Sequence, residues 1–305
     1  MELIHKKFKS DSPEGEWVIT IGNFDGYHIG HQALVRRVLA DQEAMQIKGG
    51  LLTFDPHPKK LLQPEIPFRH LYDNQSKWKL LQETGLDACF IIPFTRRFAS
   101  LSPQEFVDNL FHLLKLKKII VGYDFNFGKA REGSADLMKR EAARRGVEFI
   151  QMEPVKAKGI TVSSTMIRRM IFEGDFEMVE QFLGRRWSVN GIIKRGQQIG
   201  RTIGFPTLNL EPDISLPLRK GVYACELELE GETYQGVCNV GHRPTFGGNL
   251  FKVETHVFDY DGIAYDQYLQ VFPCHYIREE VKFDSPESLR QQIQEDVQTA
   301  RQFFQ

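Results

Sequence analysis

The chain has 305 residues, 41% of them hydrophobic and 26% charged, which is too long for one small core and too apolar for disorder. Its 39 basic and 40 acidic residues leave a net charge of -1, so neither a nucleic-acid partner nor a membrane-surface partner is expected. No apolar run reaches the length of a membrane span, residues 1–7 lack the apolar core of a signal peptide, and Cys89, Cys225, Cys238 and Cys274 form no Cys-x-x-Cys pair, which together predict reduced thiols in a cytoplasmic protein.

Residues 17–21 are apolar and β-branched and stop at Gly22, which predicts a buried strand. Ala33, Leu34, Val38 and Leu39 recur at helical spacing. Between strand and helix stands Gly22-Asn23-Phe24-Asp25-Gly26-Tyr27-His28-Ile29-Gly30-His31. Gly22 and Gly26 allow backbone N–H groups to approach a ligand, and the helix start adds further N–H groups and the positive end of its dipole; both suit phosphate. His28 and His31 are three apart, so they share a helix face and aim two imidazoles at one anion site. A Rossmann fingerprint and a Walker A loop are both absent, and no further Cys or His stands close enough in sequence to complete a zinc site. Two histidines capping a core helix is the remaining alternative; the paired glycines, Asp25 and the strand before them weigh against it.

Further strands are predicted over residues 50–54, 88–92, 118–121 and 148–152, separated by helical patterns. The clearest helix start is Ser102-Pro103-Gln104-Glu105, a capping box with proline at the first helical position. Such alternation implies a parallel sheet with helices on both faces and ligands beyond the carboxyl ends of its strands. Asp55-Pro56-His57-Pro58 follows the second strand, and Gly122-Tyr123-Asp124-Phe125-Asn126-Phe127-Gly128 the fourth. Each alone is ordinary turn chemistry, and Phe125 and Phe127 serve equally as core or as a stacking surface; their shared position at strand ends favours a site. Ser163-Ser164-Thr165-Met166-Ile167-Arg168 opens another helix with a hydroxyl cap. An arginine in that first turn faces the unfavourable end of the dipole, which an adjacent anion offsets.

A short helix over residues 176–183 is followed by Gly184-Arg185-Arg186, where the pattern changes. This sets a boundary between domains 1–183 and 184–305. Short alternating segments follow at 188–194, 221–229, 233–240, 252–258 and 268–272, with a hairpin at Gly231-Glu232, and predict a small antiparallel barrel. A helix capped by Ser285-Pro286, with Leu289, Ile293, Val297 and Ala300 as its apolar stripe, closes the chain. Gly196, Gly200 and Gly204, with Arg201 among them, form a loop able to cover a nucleotide. Thr207 and Asn209 present two neutral oxygens on one side of an extended segment, a set suited to hydrated Mg²⁺ bound to phosphate; solvent-facing residues would look the same. Glu254 shares a face with His256 and Phe258 and is either a general base beside an aromatic-lined pocket or an outward residue on a half-buried strand.

The decapeptide, residues 53–58, 121–128 and 163–168 resemble, in order, the motifs of the nucleotidyltransferases that make bacterial FAD. Residues 200–210, 221–223, 239–246, 254–258 and 278–283 resemble riboflavin kinase. Nearly the whole chain is therefore similar to the bacterial bifunctional riboflavin kinase/FMN adenylyltransferases. The resemblance implies an α/β nucleotidyltransferase domain and a six-stranded antiparallel β-barrel kinase domain. It implies phosphorylation of riboflavin to FMN, then adenylylation of FMN to FAD with release of pyrophosphate, with ATP as co-substrate and Mg²⁺ as cofactor. It assigns ATP phosphates to His28, His31, Gly22, Asn23, Phe24, Asp25 and Gly30, with Ser164, Thr165 and Arg168 on the far side. It assigns flavin contacts to Asp55, His57, Asp124, Asn126, Phe127 and Arg278. Gly200, Arg201, Gly204, Thr207 and Asn209 would hold Mg-ATP in the kinase, and Glu254 would be its base. Self-association is expected to go no further than a weak homo-oligomer. Asp266 stands where the family has a glycine after Tyr265, which predicts an altered turn. A kinase with a relic first half, and a flavin carrier without turnover, are the competing readings.

Overall fold

The computed structural model describes residues 1–6, 12–196, 199–212, 214–245, 248–262 and 264–305. The chain divides into two compact units, Met1–Phe68 with Asn74–Ser163, and Arg69–Asp73 with Ser164–Gln305.

The first unit is a six-stranded parallel sheet. Its strands are β1 (Glu2–His5), β2 (Glu16–Ile21), β3 (Lys48–Asp55), β4 (Ala88–Pro93), β5 (Lys115–Val121) and β6 (Glu148–Gln151), in spatial order β1-β4-β3-β2-β5-β6. The inner strands are buried on both faces, as their continuous apolar runs require. Trp17, Ile19 and Ile21 point to one face, against α3 (Pro103–Leu113) and α4 (Ala135–Arg144). Val18 points to the other, against α1 (Ile29–Met45) and α2 (Asn74–Gln82). The Ser102 capping box forms as expected, with both reciprocal hydrogen bonds present. Strand β1 was not anticipated: its four residues are too short and too exposed to show a period, and parallel pairing with β4 makes the strand.

The second unit starts with the helix pair α5 (Ser164–Glu173) and α6 (Phe176–Leu183). A six-stranded antiparallel sheet follows: β7 (Val189–Ile192), β8 (Leu208–Leu210), β9 (Gly221–Leu229), β10 (Glu232–Thr245), β11 (Gly248–Val257) and β12 (Tyr268–Arg278), in order β7-β12-β9-β10-β11-β8. A bridge between Lys194 and Asn209, with Lys194 N–H donating to Asn209 O at 2.9 Å, nearly closes the sheet into a barrel. The β9–β10 hairpin turns at Glu230 and Gly231, with φ of 53° and 87°, one residue before the turn expected at Gly231-Glu232. Asp266 adopts φ 66°, so the left-handed turn is kept without glycine, Asp being among the few side chains that tolerate it. Helix α7 (Pro286–Phe303), capped by Ser285, packs on the outer face through Ala300 against Val222, Ala224 and Val237.

Candidate functional site

In the parallel sheet the chain moves from β2 outward to β3 and β4, then returns to β5 on the other side of β2. That reversal is the switch point at which open α/β sheets bind ligands, and the loops leaving β2 and β5 flank it. They are the decapeptide and residues 122–128. Phe24, Gly26 and Tyr27 all have positive φ (48°, 79° and 40°), so the decapeptide folds back tightly. His28 caps α1: its Nδ1 accepts from His31 N–H at 3.3 Å, and the two imidazoles stack with centroids 3.6 Å apart. Asp25 and His28 are buried, whereas Asn23, Gly30 and His31 are half-buried. A Cβ on Gly30 would lie 3.1 Å from the His28 ring, so glycine gives that ring its place.

At the end of β3, His57 caps a short helical turn and stacks on Phe68 at 4.2 Å. In the loop after β5, Asn126 Nδ2 donates to Asp124 O at 2.8 Å. Phe127 is buried against Phe106 and Phe125, so its ring does the work of core rather than of an open stacking surface. Sequence reasoning missed Lys77 of α2. Its Nζ donates to Asn23 O at 2.9 Å and sits 3.5 Å from Thr53 Oγ1, beneath the phosphate loop. Burial pushes its ammonium down to about 8.

Ser164, Thr165 and Arg168 fall in the second unit, on the first turns of α5. Arg168 Nε donates to Arg69 O at 2.6 Å, and burial lowers its guanidinium to about 10.

In the barrel, strand register builds the site. Asn209 lies opposite Glu254, Glu254 opposite Asn239, Asn239 opposite Val222, and Val222 opposite Arg278. Residues directly opposite share a face, so five strands present one cross-strand row. Glu254, Asn239, Val222 and Arg278 of this row line a cavity of about 290 Å³ together with Gly200, Thr207, Lys252, His256 and Asp296. Glu254 pairs with Lys252 at 2.8 Å. His256 Nδ1 lies 2.9 Å from Pro206 O and holds the segment that leads into β8. Arg278 is clamped by Asp296 of α7 through two bonds of 2.7 Å, and Asp296 is buried. Sequence reasoning missed Asn239, Lys252 and Asp296. Asp296 had a visible signal: with Leu289, Ile293 and Ala300 it completes a 4–3–4 helical stripe, an acid at a core-facing position.

Asn209 fits a hydrated cation. It is 4% exposed, and its Oδ1 has no hydrogen-bond partner among the described residues, while its Nδ2 donates to Thr207 O at 3.2 Å. A buried acceptor of this kind is costly unless something satisfies it. The loop before β8 is built tightly: a Cβ on Gly200 would collide with Phe205 O. The side chain of Arg201 and the whole of Phe246 lie outside the described residues.

A glycine-rich loop at the switch point of a parallel sheet, with a barrel that sets Thr-x-Asn beside a glutamate, is an arrangement suited to an enzyme with two phosphate-transfer units. The FAD synthetase family pattern matches residues 10–166, and the riboflavin kinase pattern matches residues 183–304. The bifunctional riboflavin kinase/FMN adenylyltransferase of Escherichia coli K12 is 35% identical over 97% of this chain and 95% of its own length. That of Haemophilus influenzae is 33% identical over 100% and 99%. A solved structure titled a macrolide-efflux protein from Streptococcus pneumoniae is 30% identical, covers 98% of both chains and superposes with a TM-score of 0.82. The chain belongs to the bifunctional riboflavin kinase/FMN adenylyltransferase family. Among the described residues no helix is long and apolar enough to cross a membrane.

Proposed function

We propose that this chain runs the two reactions of its family at two separate sites, each with its own ATP. Riboflavin is phosphorylated in the barrel, and FMN is adenylylated at the switch point of the parallel sheet. The observation that carries this reading is the cross-strand row, which sets Glu254 and Arg278 with Thr207 on one cavity and places Asn209 directly opposite Glu254.

In the kinase reaction Glu254 takes the proton from the ribityl 5′-hydroxyl as that oxygen bonds to the γ-phosphorus. The bond from the γ-phosphorus to the β-bridging oxygen breaks, and ADP leaves. Thr207 and Asn209 would hold Mg²⁺, which neutralises charge on the phosphates when bound. Gly200, Arg201 and Gly204 cover the nucleotide, and Arg278, held by Asp296, orients the flavin.

In the second reaction an FMN phosphate oxygen attacks the α-phosphorus of ATP, and pyrophosphate leaves. No protein nucleophile is needed, so the residues position reactants and stabilise charge. Gly22, Asn23, Phe24, Asp25 and Gly30 shape the phosphate loop, and His28 and His31 face the charge that builds there. Ser164, Thr165 and Arg168, which fold with the second unit, are assigned to phosphate by the family resemblance. Asp55, His57, Asp124 and Asn126 lie toward the flavin, with Phe127 packing behind them. The functional boundary is placed at Gly184, although α5 and α6 fold with the second compact unit. The protein works in the cytoplasm and self-associates at most weakly.

Purified protein incubated with riboflavin, ATP and Mg²⁺ should yield FMN first and FAD after it on chromatography. FMN alone, even from supplied FMN, would leave the first unit a relic scaffold. Retained flavin without ATP consumption would make the protein a carrier.

A further inference from the structure

Lys77 is a charged side chain beneath the phosphate loop whose purpose the family reactions do not state. The loop's backbone passes through the left-handed region at Phe24 and Tyr27, neither of them glycine, and such a path persists only when its surroundings over-determine it. Two donors converge on the carbonyl just before that path: Thr53 Oγ1 reaches Asn23 O at 3.2 Å, and Lys77 Nζ reaches it at 2.9 Å. Packing alone would be served as well by methionine, yet the position carries an ammonium, and a buried ammonium is costly.

The groups around it leave the charge without a direct ion pair. From β3 come Thr53 and Asp55, from β4 Cys89, from the loop Asn23, and from its own helix the Trp78 ring, 4.7 Å away. Burial pushes the Cys89 thiol up to about 12, so it is neutral. Asp55 acts only through space, and among the described residues no carboxylate pairs with Lys77.

We infer that Lys77 is a positioning residue for adenylyl transfer: it pins the Asn23 carbonyl and so the phosphate loop, with a charge that bound polyphosphate rather than a carboxylate balances. This rests on the reading above that the loop receives ATP. A nearby anion favours the charged form, so ATP binding draws a proton onto Lys77. Burial pushes its ammonium down to about 8, so near that pH part of the population is neutral and uptake stays below one proton.

Steady-state rates of FAD formation from FMN, and of FMN formation from riboflavin, are measured for the wild type, Lys77→Met and Lys77→Arg. Proton uptake on ATP binding at pH 8 is read by calorimetry in buffers of different ionisation enthalpy. Lys77→Met should lower kcat for FAD formation at least about tenfold, leave KM for FMN within about twofold, and leave the kinase untouched. Lys77→Arg, still charged and donating, should recover part of the rate but lose the proton uptake that the wild type shows. Uptake from ATP bound in the barrel is common to all three proteins and cancels. A Lys77→Met enzyme within twofold of the wild-type kcat, or equal uptake by the wild type and Lys77→Arg, would overturn the inference. The second comparison decides it even if Lys77→Met fails to fold. A wild type that makes no FAD would instead overturn the reading of the loop.

Discussion

Replacing Asp296 with alanine tests whether the closing helix is part of the kinase site or only its cover. Asp296 is 4% exposed and makes two bonds of 2.7 Å to Arg278, whose side chain is 21% exposed. Removing one partner of a buried pair costs about 3–5 kcal/mol, because the other charge is left unpaired. Partial access of water to Arg278 brings the expected loss to about 2–3 kcal/mol. With a urea slope of about 1–3 kcal/mol per molar, the unfolding midpoint should fall by about 1–2 M. Because a chain of two units need not unfold in one step, each activity serves as its own probe. The full-length variant is incubated across a urea series and assayed separately for FMN formation and for adenylylation of supplied FMN. The kinase midpoint should drop while the adenylyltransferase midpoint stays, and KM for riboflavin should rise as Arg278 loses its orientation. Asp296→Asn, which keeps one acceptor, should fall about halfway between. An unmoved kinase midpoint with an unmoved riboflavin KM would refute the reasoning.

Other outcomes follow from the same geometry. Glu254→Gln should cut FMN synthesis by about 10²–10⁴, the usual worth of a general base, while supplied FMN is still converted to FAD in a rate assay. His31→Ala should show the reverse selectivity, and loss of both reactions in a folded protein would break the two-site assignment. Asn209→Leu should raise the Mg²⁺ concentration needed for half-maximal kinase rate, read from a metal titration that leaves adenylylation as its internal control. Burial alone would raise the carboxyl of Asp41 in α1, but hydrogen bonds and charge from Lys118 and Arg37 outweigh it and hold it below its ordinary range. Its folded value is therefore below its unfolded one, so the stabilisation is present above the ordinary carboxylate range and lost as pH falls through the folded value. Urea midpoints of the wild type and Asp41→Asn should differ at pH 6 and converge near pH 3.

What could be read in the sequence was whatever depends on local chemistry. Continuous apolar runs marked the inner strands and alternation the barrel strands, and Ser102 and Ser285 announced their helices because a cap is a contact between near neighbours. His28 stood out for the same reason, in a polar motif at the end of an apolar run, whereas Asn209 and Glu254 looked as much like solvent-facing strand residues and took their roles from the resemblance to riboflavin kinase. Lys77 did not, because its window also holds Lys79 and looks like a solvated helix face; only the tertiary path of the loop brings Asn23 over it. Asn239 and Lys252 acquire meaning only through register, which a single strand's sequence does not carry. Phe127 shows the opposite failure: an aromatic beside a polar loop invited a ligand, and the core took it.

The barrel site has an unusual sensitivity to length. Asn209, Glu254, Asn239 and Arg278 come from four different strands and meet because the ladders from β8 to β9 run in step and a register shift beside Val222 sets Arg278 opposite it. A single-residue insertion in β10 upstream of Asn239 would turn that side chain to the opposite face, leaving composition almost unchanged and the site dismantled. The same insertion at Glu230 or Gly231, in the tip of the hairpin, would lengthen a turn and leave the ladder in step. Across variants of this enzyme, indels should therefore crowd into the hairpin tip and spare the strand interiors, so that gap positions alone would trace the outline of the kinase site.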